Sequence, residues 1–404
     1  MRWATAQQWI ERLVAELIRS GAIRSPAVEA AFRHVPRHRF LETFYIRESG
    51  GVDALPAADT EWTAVAVDPT NPAPEQLDRI YSSAALMTRV AGGWPTSSTS
   101  EPALVAYMLE ELQIAPGMHL LEVGTGTGYN AALLAELAGV GGSVVSIDVQ
   151  ADVAAQAQRL LDSWRPSAVT VMARDGFEGA PEAAPFDRII ATVGCPDVSP
   201  AWAEQLHADG FMLLPLTHGG FCPLTRVWRD GERLRGRVIG FSGFMLMQGA
   251  LAIDGAMHFG RFRSPPEMQR IAGGRVLPAL AGVAAAPDER NSAASSRSRG
   301  FWCFLALRDA RLFNAAAPCP AGYGLRDDAL GDVFVATHEG RVLLAGEDAL
   351  YEHLLALHAE WQAAGSPGLS DYALEFAPHE SRRTRPLSGW PIERQYHEQW
   401  VTVA

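Results

Sequence analysis

Three glycines at alternate positions, Gly124, Gly126 and Gly128, interrupt the run LLEVGTGTGYN at 120–130 and constrain the fold more than any other stretch. The apolar residues before them read as a buried strand of a parallel sheet, and 131–137 after them as the crossover helix that such a sheet needs. Glycine lets the backbone take positive φ and lets a ligand approach where a Cβ would stand. The turn therefore reads as a cofactor cradle. A second strand, 143–148, ends on Asp148, 24 residues past Gly124. That is near the distance at which a nucleotide-binding βαβ unit sets an acid on the ribose hydroxyls. The dinucleotide fingerprint requires glycine at the sixth position of GxGxxG, where this chain has Tyr129. A nicotinamide-dependent oxidoreductase is accordingly disfavoured.

At 404 residues the chain is too long for one ordinary domain. A net charge of -12 argues against a surface that tracks phosphates, so no nucleic-acid partner is expected. Cys195, Cys222, Cys303 and Cys319 show neither C-x-x-C spacing nor nearby histidine pairs. No metal site is expected, and the cysteines read as buried thiols in a reducing cytoplasm. Glu11, Arg12, Glu16 and Arg19 stand inside the first apolar pattern, unlike a signal peptide. No apolar run approaches the ~20 residues of a membrane span, so no membrane partner is expected either.

In chain order, Trp9, Ile10, Leu13, Val14, Leu17 and Ile18 predict a helix over about residues 4–20, with Gly21 at its C-terminal cap. Ser25-Pro26 opens a second helix, which closes in the phrase VEAAFRHVPRHRF at 28–40. Residues 47–77 have no clear period and read as a long surface loop. Five hydroxyl residues, 96–100, precede Glu101-Pro102 and a helix over 103–112. They are either a helix-capping stretch or part of a site. Strands follow at 169–172, 186–192 and 211–216, then a hairpin over 224–239. Asp175-Gly176 stands at a strand end, on the side where open α/β sheets bind ligands. The Phe- and Met-rich stretch 241–249 reads as core packing in preference to a site lining. Residues 279–300 are Ala-, Ser-, Gly- and Arg-rich and read as a linker. Beyond it come strands at 301–307 and 332–345 with a turn at Glu339-Gly340. A helix over 349–364 follows, with Asp348 as its N-cap. Arg382, Arg383 and Arg385 form a short basic run.

Taken together, VPRH at 35–38, Ser100-Glu101-Pro102, the LEVGTGTGYN run, Asp175-Gly176 and PFDRIIAT at 185–192 resemble the protein-L-isoaspartate O-methyltransferase family over about residues 20–250. The resemblance implies a class I S-adenosylmethionine (SAM)-dependent methyltransferase fold. This is an α/β, Rossmann-like, mostly parallel sheet ending in an antiparallel hairpin. It is preceded by a helical segment with an acceptor loop (1–100), spans 101–250, and leads through a connector (251–300) to a smaller α+β domain (301–404) expected to recognise peptide. It further implies that Glu122, Gly124, Thr125, Gly126 and Gly128 pack on the methionine half of SAM or of its product S-adenosylhomocysteine (SAH). Asp148 would hold the ribose and Asp175 would contact adenine, with Asn130, Val149, Gly176 and Thr192 completing the cofactor set. Ser100, in the family's T-I-S-x-P position, and Ser98 before it are the implied acceptor-site hydroxyls. Ser98 replaces a threonine, and Ser83 stands where the family more often has aspartate.

The longer form is similar to the methyltransferases that accompany ATP-grasp ligases in graspetide maturation. That likeness implies methylation of an aspartate in a modified precursor peptide, then aspartimide formation, with an ATP-grasp ligase in the same pathway. Repair of isoaspartyl residues in damaged proteins is the alternative. In either case the acceptor carboxylate is ionised at neutral pH, with an unperturbed pKa of about 4, and needs no general base. The task is alignment.

Overall fold

The computed structural model describes residues 3–47, 61–165, 168–253, 265–283, 297–315, 322–336, 340–379 and 389–403. The apolar stripe of Ile10, Leu13, Val14 and Leu17 is buried and makes α1 (Trp3–Arg19), after which Gly21 turns the chain with φ 74°. In α2 (Pro26–His34) the Ser25 hydroxyl accepts the Val28 N–H and proline occupies the first turn, as the sequence predicts. Then come β1 (Thr43–Arg47), β2 (Trp62–Ala66), α3 (Pro74–Ile80), β3 (Leu86–Ala91) and β4 (Trp94–Thr99). These four strands form an antiparallel sheet in the order β2-β1-β3-β4. The loop expected over 47–77 is thus corrected, since Ala64 pairs with Tyr45 and α3 follows. The strand was illegible because it is short and mostly open to solvent, leaving no apolar alternation to read. Residues 48–60 lie outside the described residues.

The expected Rossmann-like unit follows as α4 (Pro102–Leu112), β5 (His119–Val123), α5 (Tyr129–Ala138), β6 (Ser143–Asp148), α6 (Ala151–Trp164), β7 (Val169–Ala173), β8 (Phe186–Ala191), α7 (Pro200–Gln205) and β9 (Leu206–Pro215). The antiparallel hairpin β10 (Cys222–Asp230) and β11 (Arg233–Ser242) comes next. The sheet does not end there. After α8 (Pro265–Ala272), β12 (Arg275–Leu277), α9 (Arg297–Arg308), β13 (Leu312–Ala315), β14 (Gly322–Asp327), β15 (Gly331–Ala336), β16 (Val342–Gly346) and α10 (Asp348–Ala363), the chain returns to it. It does so through β17 (Tyr372–Pro378), β18 (Trp390–Glu393) and β19 (His397–Val403). The result is one ten-stranded sheet ordered β18-β19-β17-β11-β10-β9-β8-β5-β6-β7, parallel from β9 to β7 and antiparallel elsewhere. A third, antiparallel sheet is ordered β12-β16-β15-β14-β13.

The boundary expected at residue 300 is therefore not a boundary of the sheet, because Leu234 of β11 pairs with Phe376 of β17. Period-two alternation sorts the core strands between two apolar layers. Leu120, Val144, Ile190 and Leu213 face α1, α2, α4 and α5. Leu121, Val145, Ile189 and Met212 face a layer that includes Trp302, Trp361 and Phe376 from the C-terminal region. Each large side chain buried there contributes on the order of 2–3 kcal/mol.

Residues 301–307, expected as strand, are helical within α9. The run is apolar throughout and buried on every side, so it has no period to distinguish the two states. Part of the expected connector is ordered as α8 and β12, whereas 254–264 and 284–296 lie outside the described residues. So do Arg382, Arg383, Arg385, Cys319 and Glu339. In α10 the N-cap is Glu347, without a side-chain cap bond, and Asp348 is the first helical residue. Among the described residues no helix is long and apolar enough to cross a membrane.

Candidate active site

At the C-terminal ends of β5, β6 and β8 the sheet opens into a cavity of about 500 Å3, a volume typical of small-molecule sites. Its floor is the glycine turn. Gly124 has φ 104°, and a Cβ there would stand 2.7 Å from Thr192 Oγ1 and 2.9 Å from Val193 Cγ1. The Thr192 hydroxyl in turn donates to the Gly124 carbonyl at 2.6 Å. Gly126 has φ 52°, and its Cβ would lie 3.0 Å from the Ser98 carbonyl oxygen. Both positions thus need glycine for conformation and for close approach.

Below the turn runs a buried polar chain. Asn130 Nδ2 donates to Glu122 Oε1 at 2.7 Å, Ser146 Oγ donates to Glu122 Oε2, and the Thr125 and Ser146 hydroxyls are 2.6 Å apart. Glu122 is fully buried, and desolvation pushes its pKa up to about 7 against those hydrogen bonds. Asp148, at the end of β6, accepts the N–H of Gly126 on Oδ2 and of Gln150 on Oδ1, each at 3.0 Å. Burial raises its pKa, with the two backbone N–H groups pulling the other way.

Of the expected site residues, Ser98, Ser100, Gly124, Thr125, Gly126, Asn130, Asp148, Val149, Gly176 and Thr192 line this one cavity. Glu122, Gly128 and Asp175 stand behind the wall. Both oxygens of Glu122 are used in supporting the turn. A Cβ on Gly128 would meet Leu161 Cδ1 at 3.1 Å, so this glycine serves the packing of α6. Asp175, expected at the adenine, accepts the N–H of Phe177 at 2.9 Å and of Ala250 at 2.7 Å, tying 249–251 to the end of β7. A short carboxylate beside two amide donors closes a turn more readily than it reaches a ligand.

The other half of the cavity is built from β4, α4 and residues 241–248. The hydroxyl run 96–100 is not a helix cap. Most of it is β4, and α4 begins after Glu101 with no side-chain cap bond. Along this stretch Ser97 and Thr99 are buried while Thr96, Ser98 and Ser100 are half-buried, as strand alternation requires. Gln150 Nε2 donates to the Thr96 carbonyl at 2.8 Å, fastening β4 beside Asp148. The stretch 241–248, expected as core, lines the cavity with Phe241, Phe244, Met245 and Leu246. It is held there because the N–H of Gly194 donates to Met245 O at 2.8 Å and the N–H of Met247 to Gly194 O at 2.9 Å.

Arg37, from the VPRH phrase, stands behind the cavity wall and was left without a role by the sequence reading. It is completely buried, and its guanidinium donates to the carbonyls of Ile80 (2.7 Å), Ser82 (3.3 Å), Ala84 (3.1 Å), Thr99 (3.3 Å) and Ser100 (2.9 Å). Burial lowers its pKa to about 10, so it remains a cation at neutral pH. One side chain thereby sets the junction of β4 and α4 on which Ser100 sits. The signal in the sequence was an arginine after Val35-Pro36 at the end of an apolar helix.

The residues present fit SAM. The cradle admits no Cβ at Gly124, an acid stands at the end of β6, and the Thr96 and Thr99 hydroxyls in the cavity wall have no hydrogen-bond partner among the described residues. The sequence model of the family Protein-L-isoaspartate(D-aspartate) O-methyltransferase matches residues 67–239. The chain is similar to the protein-L-isoaspartate O-methyltransferase of Gloeobacter violaceus, 30% identical over 204 residues that cover 50% of this chain and 80% of the relative. It is likewise similar to protein-L-isoaspartate O-methyltransferase 1 of an Anaeromyxobacter species, 32% identical with 58% and 88% covered. For the Methanopyrus kandleri relative of that name the values are 34%, 56% and 86%. A solved structure called protein-L-isoaspartate O-methyltransferase shares the fold at a TM-score of 0.50 and 21% identity, over 91% of this chain and 96% of that one. Its match continues well past the core. With the cradle, the acid and the hydroxyl strand in one cavity, this chain belongs to the protein-L-isoaspartate O-methyltransferase family, SAM-dependent enzymes on the class I methyltransferase fold.

Proposed function

We propose that this chain methylates the free carboxylate of an isoaspartyl residue in a peptide or protein. The observation that carries the reading is the seating of β4 on the glycine turn, with the Ser98 carbonyl 3.0 Å from where a Gly126 Cβ would be. A strand whose Ser98, followed by Ser100, lines the cavity beside the glycine turn supports an acceptor role for it. SAM, when bound, supplies an electrophilic methyl on a sulfonium. The chain's own part is positioning. Asp148 and the backbone of the turn hold the donor, and the Ser100 hydroxyl donates to one oxygen of the acceptor carboxylate. Arg37 keeps Ser100 in place through its carbonyl. No proton has to be removed from an ionised carboxylate, so alignment is sufficient chemistry.

The test is methyl transfer from SAM to a linear isoaspartyl peptide, read as methanol released from the labile ester. Wild type should turn over, and Ser100→Ala should lose rate with SAH affinity unchanged. An inactive wild type that binds SAH normally would refute the acceptor assignment.

A second reading is tailoring of a cyclised, acidic precursor peptide made by an ATP-grasp ligase, with the ester collapsing to aspartimide. It draws support from a cavity wall that includes residues 241–248 and Arg299, outside the span matched by the family. An extension past the core does not by itself favour it, given how far the isoaspartate-named neighbour is matched. Preference for the cyclised peptide over the linear one, with a methyl gained and then methanol lost in the mass spectrum, would select this reading.

A further inference from the structure

Residues 394–397, the turn between β18 and β19, reach back to the rim of the cofactor cavity. The Arg394 N–H donates to the His397 carbonyl at 2.9 Å and closes the turn, which then grips the ends of three core strands. The Arg394 guanidinium donates to the Pro196 carbonyl after β8 and, at 3.1 Å, to the Thr217 carbonyl after β9. Asp197 accepts the Tyr396 N–H at 2.7 Å on one oxygen and His397 Nδ1–H at 3.0 Å on the other. The Tyr396 ring stacks on Phe177, beyond β7, with centroids 5.1 Å apart at 28°. Gln395 Nε2 donates to the Ala250 carbonyl at 3.2 Å.

His218 completes this junction. Arg394 and, at 3.2 Å, the Gln399 amide each aim a donor at its Nε2, so that nitrogen accepts. Nδ1 therefore carries the proton and donates to the Leu216 carbonyl at 3.1 Å. Burial, helped by the Arg394 charge, holds the imidazole neutral, its pKa well below the usual value. Asp197, His218, His397 and Gln399 are all buried, and a satisfied polar network of this kind fixes one arrangement of the segments it joins.

The gripped segments carry the cavity wall. Gly194, two residues before Pro196, pairs with Leu246, and a Cβ on it would stand 3.0 Å from Thr217 Cγ2 and 3.1 Å from Leu246 Cδ2. On the far flank the Ala250 N–H donates to Asp175 while its carbonyl accepts from Gln395. Between these two fastenings Met247 lies beside Gly176, whose Cβ would stand 3.1 Å from Met247 Cε. We propose that Arg394 and His397 are positioning residues for the cofactor: through 194–197 and Ala250 the C-terminal hairpin sets the wall 243–248, and affinity for SAM depends on it. Both residues stand behind the cavity lining. The inference rests on the SAM dependence of the family and not on which carboxylate takes the methyl. A supporting shell of this kind acts because a site held loosely loses affinity even with every lining residue present.

Calorimetric titration of SAH into the full-length protein, with thermal unfolding of the same samples, tests this without turnover. Arg394→Met removes the donors to Pro196 and Thr217 and should weaken SAH by roughly tenfold or more. Arg394→Lys, which keeps a cationic donor, should recover part of the affinity. His397→Leu should weaken SAH likewise, whereas His397→Asn, whose amide can donate from the position of Nδ1, should stay within about threefold of wild type. Leu354→Ala serves as the stability control, being buried in α10, which packs on α9 and β14–β16. It should lower the melting temperature and leave SAH affinity unchanged. Arg394→Met and His397→Leu proteins that melt early but bind SAH like wild type overturn the proposal, as does Leu354→Ala weakening SAH equally. Should Arg394→Met fail to fold, Arg394→Lys and the two His397 variants decide by the same measure. A wild type that shows this pattern but methylates no isoaspartyl peptide keeps the positioning role and loses the proposed acceptor.

Discussion

Glu122 is a carboxyl group kept beneath the cofactor turn at a cost that depends on pH. It is fully buried, and desolvation lifts its pKa to about 7 from an ordinary 4.5. A carboxyl whose folded pKa is raised binds more protons in the native state than in the unfolded state between those two values. Stability therefore falls as pH rises through that window and levels off above the folded pKa. Each pH unit inside it is worth at most about 1.4 kcal/mol, so ionisation costs on the order of 3 kcal/mol in all. Glu122→Gln removes the titration while keeping shape. Asn130 can turn its amide to offer the carbonyl, and the Ser146 hydroxyl can accept instead of donate. Asp148 and Glu101 are also raised by burial and slope the same way. The difference between wild type and variant isolates Glu122. Urea unfolding of the cofactor-free protein at pH 5, 6, 7 and 8 should show Glu122→Gln gaining on wild type by about 2–3 kcal/mol from pH 5 to 8. Parallel curves would refute the argument, meaning that Glu122 stays ionised in the fold and its two donors outweigh desolvation.

Asp148→Ala should weaken SAH by about tenfold or more, the scale of a lost hydrogen bond to a charged group, as read by calorimetry; unchanged affinity would free the acid from any ribose role. Gly126→Ala places a Cβ against the Ser98 carbonyl at a positive φ, so it should weaken SAH and slow methyl transfer together; a variant affected in only one of them would contradict the coupling of the two half-sites. Deleting residues 301–404 should leave an aggregating chain, because it strips β17 from β11 and uncovers one face of the core; a truncated protein that stayed monomeric and bound SAH would contradict the shared sheet.

What was legible in the sequence was what local pattern encodes. The glycine turn, strand ends at Asp148 and Asp175, the hairpin around Asp230-Gly231 and the capped start of α2 all stand where period and turn chemistry put them. Illegible were features set by distant partners. Nothing local in 372–403 says that these strands extend the core sheet, because β-pairing with β11 is a property of two segments far apart in sequence. The run at 301–307 is apolar on all sides and carries no period. The 241–248 stretch has a composition that suits a core and a cavity wall equally well. Glu122 and Asp175 were expected to touch the cofactor, and neither lines the cavity. Their hydrogen-bond partners, Asn130, Ser146, Phe177 and Ala250, decide that they support the wall and do not form it.

The two half-sites are joined by few connections, and these explain how an alignment enzyme keeps its geometry. Gln150 holds Thr96 from the cofactor side, Gly126 carries Ser98 directly, and Arg37 holds Thr99 and Ser100 from below. Each fastening grips backbone and leaves the side chains of Thr96, Ser98 and Ser100 uncommitted to them. The strand is therefore fixed in position while Ser98 and Ser100 line the cavity. Chemistry that needs no proton transfer but loses rate steeply with misplacement is served by this arrangement, because rigidity lies in the main chain and adaptability in the rotating hydroxyl. The arginine also ties the β4–α4 junction to the end of α3 and the 82–84 turn through Ile80, Ser82 and Ala84. The N-terminal sheet and helices are thus part of the cavity's mechanical frame, and the VPRH phrase contributes to it through Arg37.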